Sequence, residues 1–170
     1  MRYLTIVRHT KSSPAGPGET DFHRTLSGRG RRECKQLRAW ASDPEALGRY
    51  GPVTALVSSA ARTRETFRRA FDGTGFATAF EFQSSIYNGV RDVSGEDLLD
   101  ALVAMDPVST SLMVVAHNPS VHELAELLAK DLPDSLRRNY PLGGAYVLAL
   151  PHAGPIRQGR YDVVASFIPD

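Results

Sequence analysis

Short runs of consecutive apolar residues alternate along this chain with longer stretches in which apolar residues recur every three or four positions. That is the pattern of strands buried on both faces exchanging with amphipathic helices. Residues 3–7 form the first apolar run, which breaks off abruptly into Arg8 and His9. The stretch 11–22 carries Ser12, Ser13, Pro14, Gly16, Pro17 and Gly18 and reads as a loop. Ser27 is placed to cap a helix running to about Leu47, with Cys34, Leu37, Trp40 and Ala41 at helical spacing and the basic residues mostly elsewhere. Residues 53–57 predict a second strand and residues 60–71 a second helix with Thr63, Phe67 and Phe71 on one stripe. A third short strand is expected at 80–82. After it comes a helix starting at Ser94-Gly95-Glu96-Asp97, carrying Leu98, Leu99, Leu102 and Met105 and closed by Pro107. Residues 112–116 are all apolar and predict a buried strand. Asn118-Pro119 then offers a cap and a first-turn proline to a helix bearing Val121, Leu124, Leu127 and Leu128. Residues 145–150 and 161–167 finish the chain as strands.

Strands alternating with helices predict an α/β fold: a three-layer α/β/α sandwich around a mostly parallel sheet, with the late strand pair as an antiparallel edge. With 170 residues, 42% of them hydrophobic, the chain is expected to form a single domain over 1–170. The formal charge of +1 provides no global field for nucleic acid or an anionic membrane, so any basic site is local. The basic run from Arg29 to Arg38 lacks interleaved aromatics and reads as a solvated helix face. Gly28-x-Gly30 follows a loop and lacks the third glycine of a dinucleotide fingerprint. A single cysteine, Cys34, reads as a small buried hydrophobe and fits a reducing, cytoplasmic setting. The apolar run at the start is too short for a signal-peptide core or a membrane span.

In parallel α/β sheets, ligands sit outside the carboxyl ends of the strands. Beyond the first strand lie Arg8 and His9, beyond the second Ser58, Ser59 and Arg62, and beyond the strand at 112–116 lie His117 and Asn118. Two guanidiniums can hold phosphate oxygens, and the adjoining helix N-termini add backbone donors. The expected ligand is therefore a phosphoryl group. A neutral His9 at the floor of such a site can attack phosphorus and form a phosphohistidine, while His117 donates to the equatorial oxygens. This scheme needs no metal or other cofactor. His23, His122 and His152 lack comparable support, and His117 and His122, five residues apart, do not share a helix face as a metal pair would need.

These residues resemble the histidine phosphatase superfamily. Ile6-Val7-Arg8-His9-Thr10 is similar to its strand ending in Arg-His. Asp21-Phe22-His23-Arg24-Thr25-Leu26-Ser27-x-x-Gly30 resembles its Arg-Pro-Leu-Thr-x-x-Gly stretch, and Ser58-Ser59-Ala60-Ala61-Arg62-Thr63-x-x-Thr66 its Ser-Pro-x-x-Arg-Ala/Thr-x-x-Thr motif. Ala116-His117-Asn118-Pro119 resembles its Gly-His-Asn-Pro. These motifs run from Met1 to about Leu128, and the short length and compact loop at 11–24 are most similar to bacterial phosphohistidine phosphatases of the SixA type. The resemblance implies a phosphoglycerate mutase-like fold, His9 as nucleophile, Arg8 and Arg62 as phosphoryl ligands, and His117 completing the pocket.

Thr10 stands where the family usually has glycine and Thr25 where it often has proline. Many members also place a Glu or Asp after the third strand as general acid. The corresponding stretch here is Ser85-Ile86-Tyr87-Asn88-Gly89-Val90-Arg91-Asp92, so Asp21 is the first candidate acid and Asp92 the second, unless none is needed. A phosphoramidate leaving nitrogen can be protonated before it departs, whereas an alkoxide must receive its proton in the transition state. A missing acid and short loops favour phosphohistidine on a protein partner, with a phosphorelay component among the candidates. The alternatives are a small-molecule phosphomonoesterase and a non-catalytic phosphate-binding module.

Overall fold

The computed structural model describes residues 1–89, 91–105, 110–151, 154–159 and 161–170; the expected helix stop at Pro107 and the turn at His152 lie outside these. Its strands are β1 (Arg2–Arg8), β2 (Val53–Ser58), β3 (Ala77–Gln83), β4 (Ser111–Ala116), β5 (Ala145–Leu150) and β6 (Val163–Phe167). The helices are α1 (Gly28–Ser42), α2 (Ala61–Ala70), α3 (Gly95–Met105), α4 (Ser120–Leu128) and α5 (Asp134–Arg137). One sheet runs in the order β3-β2-β4-β1-β5-β6. Strands β3, β2, β4 and β1 are mutually parallel, and β5 runs antiparallel to both β1 and β6. This is the mostly parallel α/β/α sandwich with an antiparallel edge that the hydrophobic pattern predicts.

Side-chain alternation along the strands sorts the apolar residues into two cores. Leu4, Ile6, Leu56, Leu112, Val114 and Leu148 face α3 and α4, where they meet Leu98, Leu102, Leu124 and Leu128. Val7, Ala55, Val57, Met113, Val115 and Val147 face α1 and α2, where they meet Leu37, Ala41, Phe67 and Ala70. Because β4 and β1 are central and covered on both sides, their carboxyl ends are rigid platforms for Arg8, His9 and His117.

Several boundaries differ from expectation. Helix α1 stops at Ser42 instead of running to Leu47, because Pro44 disfavours helical backbone at Asp43; Leu47 falls in a 3-10 turn over Leu47–Tyr50. Strand β3 begins three residues before the expected 80–82 and ends one residue after it; as a mostly exposed edge strand it lacks a continuous apolar run. The final strand begins at Val163, and Tyr161 makes only an isolated bridge to Ala129. Asn118 does not cap α4: that helix begins at Ser120 without a side-chain cap, and the Asn118 side chain turns elsewhere.

Helix α1 grips the loop that follows His9. Ser27 Oγ accepts from Gly30 N at 3.1 Å and donates to Lys11 O at 3.1 Å, while Lys11 N donates to Glu33 Oε1 at 2.9 Å. Gly30 is required for this approach, since a Cβ there would lie 2.0 Å from Lys11 O. No helix among the described residues is long and apolar enough to cross a membrane.

Candidate active site

The carboxyl ends of β1, β2 and β4 converge on a pocket of about 290 Å³ lined by Arg8, His9, Arg24, Arg62, His117 and Asn118, with Lys11, Ser12, Asn88 and Leu142 completing the wall. Arg8, His9, Arg62 and His117, singled out from separate stretches of sequence, are thus brought to one place. His23 and His122 are not: His23 is exposed and bonded to Thr20 Oγ1, and His122 pairs with Glu126 on α4. Among the described residues no group of His, Cys, Asp and Glu could hold a metal ion.

His9 is 7% exposed, and its Nδ1 lies 2.7 Å from Thr10 O. A carbonyl only accepts, so Nδ1 carries the hydrogen and Nε2 carries the lone pair. Burial lowers the imidazole pKa to about 3, outweighing the Thr10 hydrogen bond that opposes the shift, and the charges of Arg62, Arg8 and Arg24 lower it further. His9 is therefore a neutral imidazole with an available Nε2 at any pH near 7. The side chain of Thr10, where the family has glycine, points away into the α1–α2 side. There its Oγ1 lies 3.4 Å from Cys34 Sγ and 3.4 Å from Thr66 Oγ1, and its backbone N donates to Thr66 Oγ1 at 3.2 Å. The same hydroxyl of Thr66 donates to Arg62 O at 2.7 Å, so this motif threonine joins the His9 turn to the helix that carries Arg62. Burial pushes the Cys34 thiol up to about 11, which keeps it a neutral packing group.

Three buried side-chain nitrogens of the pocket residues Arg8, Arg62 and His117 have no protein hydrogen-bond partner. Arg8 donates through Nη1 to Tyr140 O at 2.8 Å, but its buried Nε has no protein partner. Arg62 donates through Nη1 to Asp21 O at 2.9 Å and through Nη2 to Asp21 Oδ2 at 3.1 Å, and again Nε is buried and unpartnered. His117 shares a 2.7 Å hydrogen bond between Nε2 and Ser58 Oγ, while its Nδ1 is buried without a partner. A Ser58 hydroxyl that donates to Nε2 puts the His117 hydrogen on Nδ1, the tautomer that can donate to a ligand. Burial, the neighbouring His9 and the charges of Arg62 and Arg8 lower the His117 pKa to about 2, so this ring is neutral as well. Its ring centroid lies 5.4 Å from that of His9.

Asp21 reaches the site edge from a 3-10 turn over Asp21–His23. Its Oδ2 accepts from Tyr87 Oη at 2.6 Å and from Arg62, and its Oδ1 lies 3.1 Å from Arg24 Nε. The Tyr87 hydrogen bond and the two arginines hold this carboxyl below its ordinary pKa. Asp21 is thus an ionised brace for Arg62 and Arg24 in the site as it stands, a poor form for a proton donor. Asp92 is exposed and lines a neighbouring hollow with Asn88, Pro119 and Glu123, not the pocket that holds His9. Sequence reasoning missed Arg24 as a pocket residue. The signal was present, since Arg24 is the arginine of the segment resembling Arg-Pro-Leu-Thr.

Burial of two neutral histidines makes stability acid-sensitive. His9 and His117 titrate near 3 and 2 when folded against an ordinary 6.5, so below about pH 6.5 the unfolded chain binds more protons. Stability is then full above that pH and declines toward pH 3, by about 1.4 kcal/mol per pH unit for each histidine. Urea unfolding between pH 7 and pH 5 is expected to show this fall, and replacing His117 by Gln to reduce its slope by about half. An unchanged slope would place the acid sensitivity elsewhere.

The six-stranded sheet and its flanking helices have the phosphoglycerate mutase-like fold of the histidine phosphatase superfamily, as the resemblance of the motifs implies. Among solved structures the chain is similar to a protein provisionally named phosphohistidine phosphatase SixA from Agrobacterium tumefaciens. The two are 28% identical over 99% of this chain and 98% of that one, with a TM-score of 0.75. A protein given the same provisional name from Nakamurella multipartitia is 22% identical over 99% and 96% of the two chains, with a TM-score of 0.77. A protein histidine phosphatase SixA complexed with tungstate is 18% identical over 98% and 97%, with a TM-score of 0.72. No protein-family model matches the chain, and no curated protein matches it.

Proposed function

We propose that this protein is a phosphatase that removes phosphate from phosphohistidine on a partner protein, through a covalent phospho-His9 intermediate and without a metal ion. The observation that carries this reading is a neutral His9 with its lone pair on Nε2, set in a pocket where Arg8 Nε and Arg62 Nε are buried donors without protein acceptors and His117 Nδ1 is a buried ring nitrogen without a partner. Buried donors cost free energy unless an acceptor arrives, and a phosphoryl group has three terminal oxygens to offer. The SixA structure that holds tungstate, also a tetrahedral oxyanion, supports the same reading.

In the first step His9 Nε2 attacks phosphorus, and the bond between phosphorus and the substrate nitrogen breaks with its electron pair returning to that nitrogen. The two arginines and His117 Nδ1–H stabilise charge on the equatorial oxygens. In the second step water attacks phospho-His9, and the ring leaves neutral because Nδ1 keeps its hydrogen on Thr10 O. The water proton goes to the phosphate product.

Among the described residues no carboxyl group lines the pocket, which supports a P–N over a P–O substrate. A pocket of about 290 Å³ suits a phosphorylated side chain better than an enclosed metabolite. Asp21→Asn is expected to lower phosphohistidine turnover by less than about tenfold, through looser arginines, and to leave the shape of its pH profile unchanged. Loss of a profile limb would restore Asp21 as the acid.

The deciding experiment compares phosphate release from a phosphohistidine-bearing protein with release from an aryl phosphate ester at matched enzyme concentration. Preference for phosphohistidine supports the proposal. Faster ester turnover would make this a small-molecule phosphomonoesterase, and tight binding without release a phosphate-binding module.

A further inference from the structure

Resting on the phosphohistidine reading, we propose that Asn118 is a specificity-determining residue: its Oδ1 accepts a hydrogen bond from the distal ring N–H of the leaving imidazole and so selects P–N substrates over esters.

Asn118 follows directly on His117 and lines the same pocket as His9. Its amide orientation is fixed by its neighbours. One side faces Tyr140 O at 3.3 Å and Asn139 Oδ1 at 2.7 Å, and since a backbone carbonyl only accepts, that side is the Nδ2 donor. The opposite atom is therefore Oδ1, and it is buried with no protein partner. Among the described residues it is the one buried side-chain oxygen of the pocket wall left in that condition. In a pocket built from cations, such an acceptor has no use for the phosphoryl oxygens, which are acceptors too. It calls for a donor elsewhere on the substrate.

The chemistry of transfer between two imidazoles supplies that donor. When the distal nitrogen of the substrate ring carries a hydrogen, the P–N electron pair returns to the proximal nitrogen and the ring departs as neutral imidazole. Without that hydrogen it would have to leave as an imidazolide anion. A hydrogen bond to the protonated form favours that form. The nucleophile side already has this arrangement, since the distal Nδ1–H of His9 donates to Thr10 O at 2.7 Å. Asn118 Oδ1 gives the leaving ring the same support, so the reaction runs from one braced imidazole to another. An ester leaving group has no such N–H and gains nothing from the acceptor.

The test measures kcat/KM for a phosphohistidine peptide and for an aryl phosphate ester with wild type, Asn118→Leu and Asn118→Asp. Asn118→Leu keeps the size and removes the acceptor together with the Nδ2 bonds to Asn139 and Tyr140. It is expected to lower phosphohistidine turnover about 10- to 100-fold further than ester turnover, the loss shared by both substrates reporting the bracing of Tyr140. Asn118→Asp keeps an acceptor, so it retains the preference and extends phosphohistidine turnover to higher pH, where the substrate ring otherwise loses its proton. Equal losses on both substrates in Asn118→Leu would overturn the inference, because they would mean that Asn118 only holds Tyr140 and Arg8. Wild type that hydrolyses the ester and not the peptide would overturn the phosphohistidine reading itself, and this inference with it.

Discussion

Replacing His9 by Ala is expected to lower phosphate release by about 10⁴-fold or more, because it removes the atom that forms the covalent intermediate. The loss should be chemical and not structural. The backbone bonds that place this residue, His9 N to Ala116 O at 3.2 Å and Gly143 N to His9 O at 3.1 Å, do not involve the ring. Circular dichroism and urea unfolding at pH 7 should therefore show a folded variant. Rapid quenching of wild type with radiolabelled substrate should trap an alkali-stable, acid-labile phosphoprotein, as expected of a phosphoramidate, and the variant should trap none. Retained turnover in His9→Ala would remove the mechanism altogether.

Arg62→Ala is expected to cost about 10²- to 10³-fold in kcat/KM, the range found when a preorganised donor to a developing oxyanion is removed. Its effect has two parts. The pocket loses the unpartnered Nε donor, and Asp21 loses the guanidinium that holds its Oδ2, leaving a carboxylate beside an incoming phosphoryl dianion. Arg62→Lys should recover little, since a single ammonium cannot serve Asp21 O, Asp21 Oδ2 and a ligand in the fixed directions of a guanidinium. Adding Asp21→Asn to Arg62→Ala should regain part of the loss by relieving the repulsion. Single-turnover phosphorylation of His9 separates these contributions from product release. An Arg62→Ala variant with near wild-type kcat/KM would show that phosphoryl binding rests elsewhere.

Why so much of the site was legible is a matter of distance along the chain. Arg8 and His9 adjoin the end of β1, Arg62 lies in the first turn after β2, and His117 follows β4, so each strand end carries its own chemistry within a few residues. The apolar runs of β1, β2, β4 and β5 were equally plain because the sheet interior is covered on both faces. Strand β3 was harder, since an exposed edge imposes no continuous apolar run. Asn118 looked like a helix cap because asparagine before proline usually serves one. Its real partners are Asn139 and Tyr140, residues about twenty positions away that no local pattern connects to it. The same holds for the Asp21–Tyr87 hydrogen bond, which joins residues 66 positions apart.

Tyr140 and its neighbours carry a consequence for when the molecule becomes active. Tyr140 O holds both Arg8 and Asn118, Gly144 O accepts from Arg8 N, and Gly143 N donates to His9 O. Every motif that resembles the family lies before these residues, yet the segment at 139–144 supplies the backbone groups that hold Arg8, His9 and Asn118 in place. A chain still being synthesised therefore carries Arg8, His9, Arg62 and His117 before the segment that holds them has emerged, and the pocket is complete only once residues 139–144 dock.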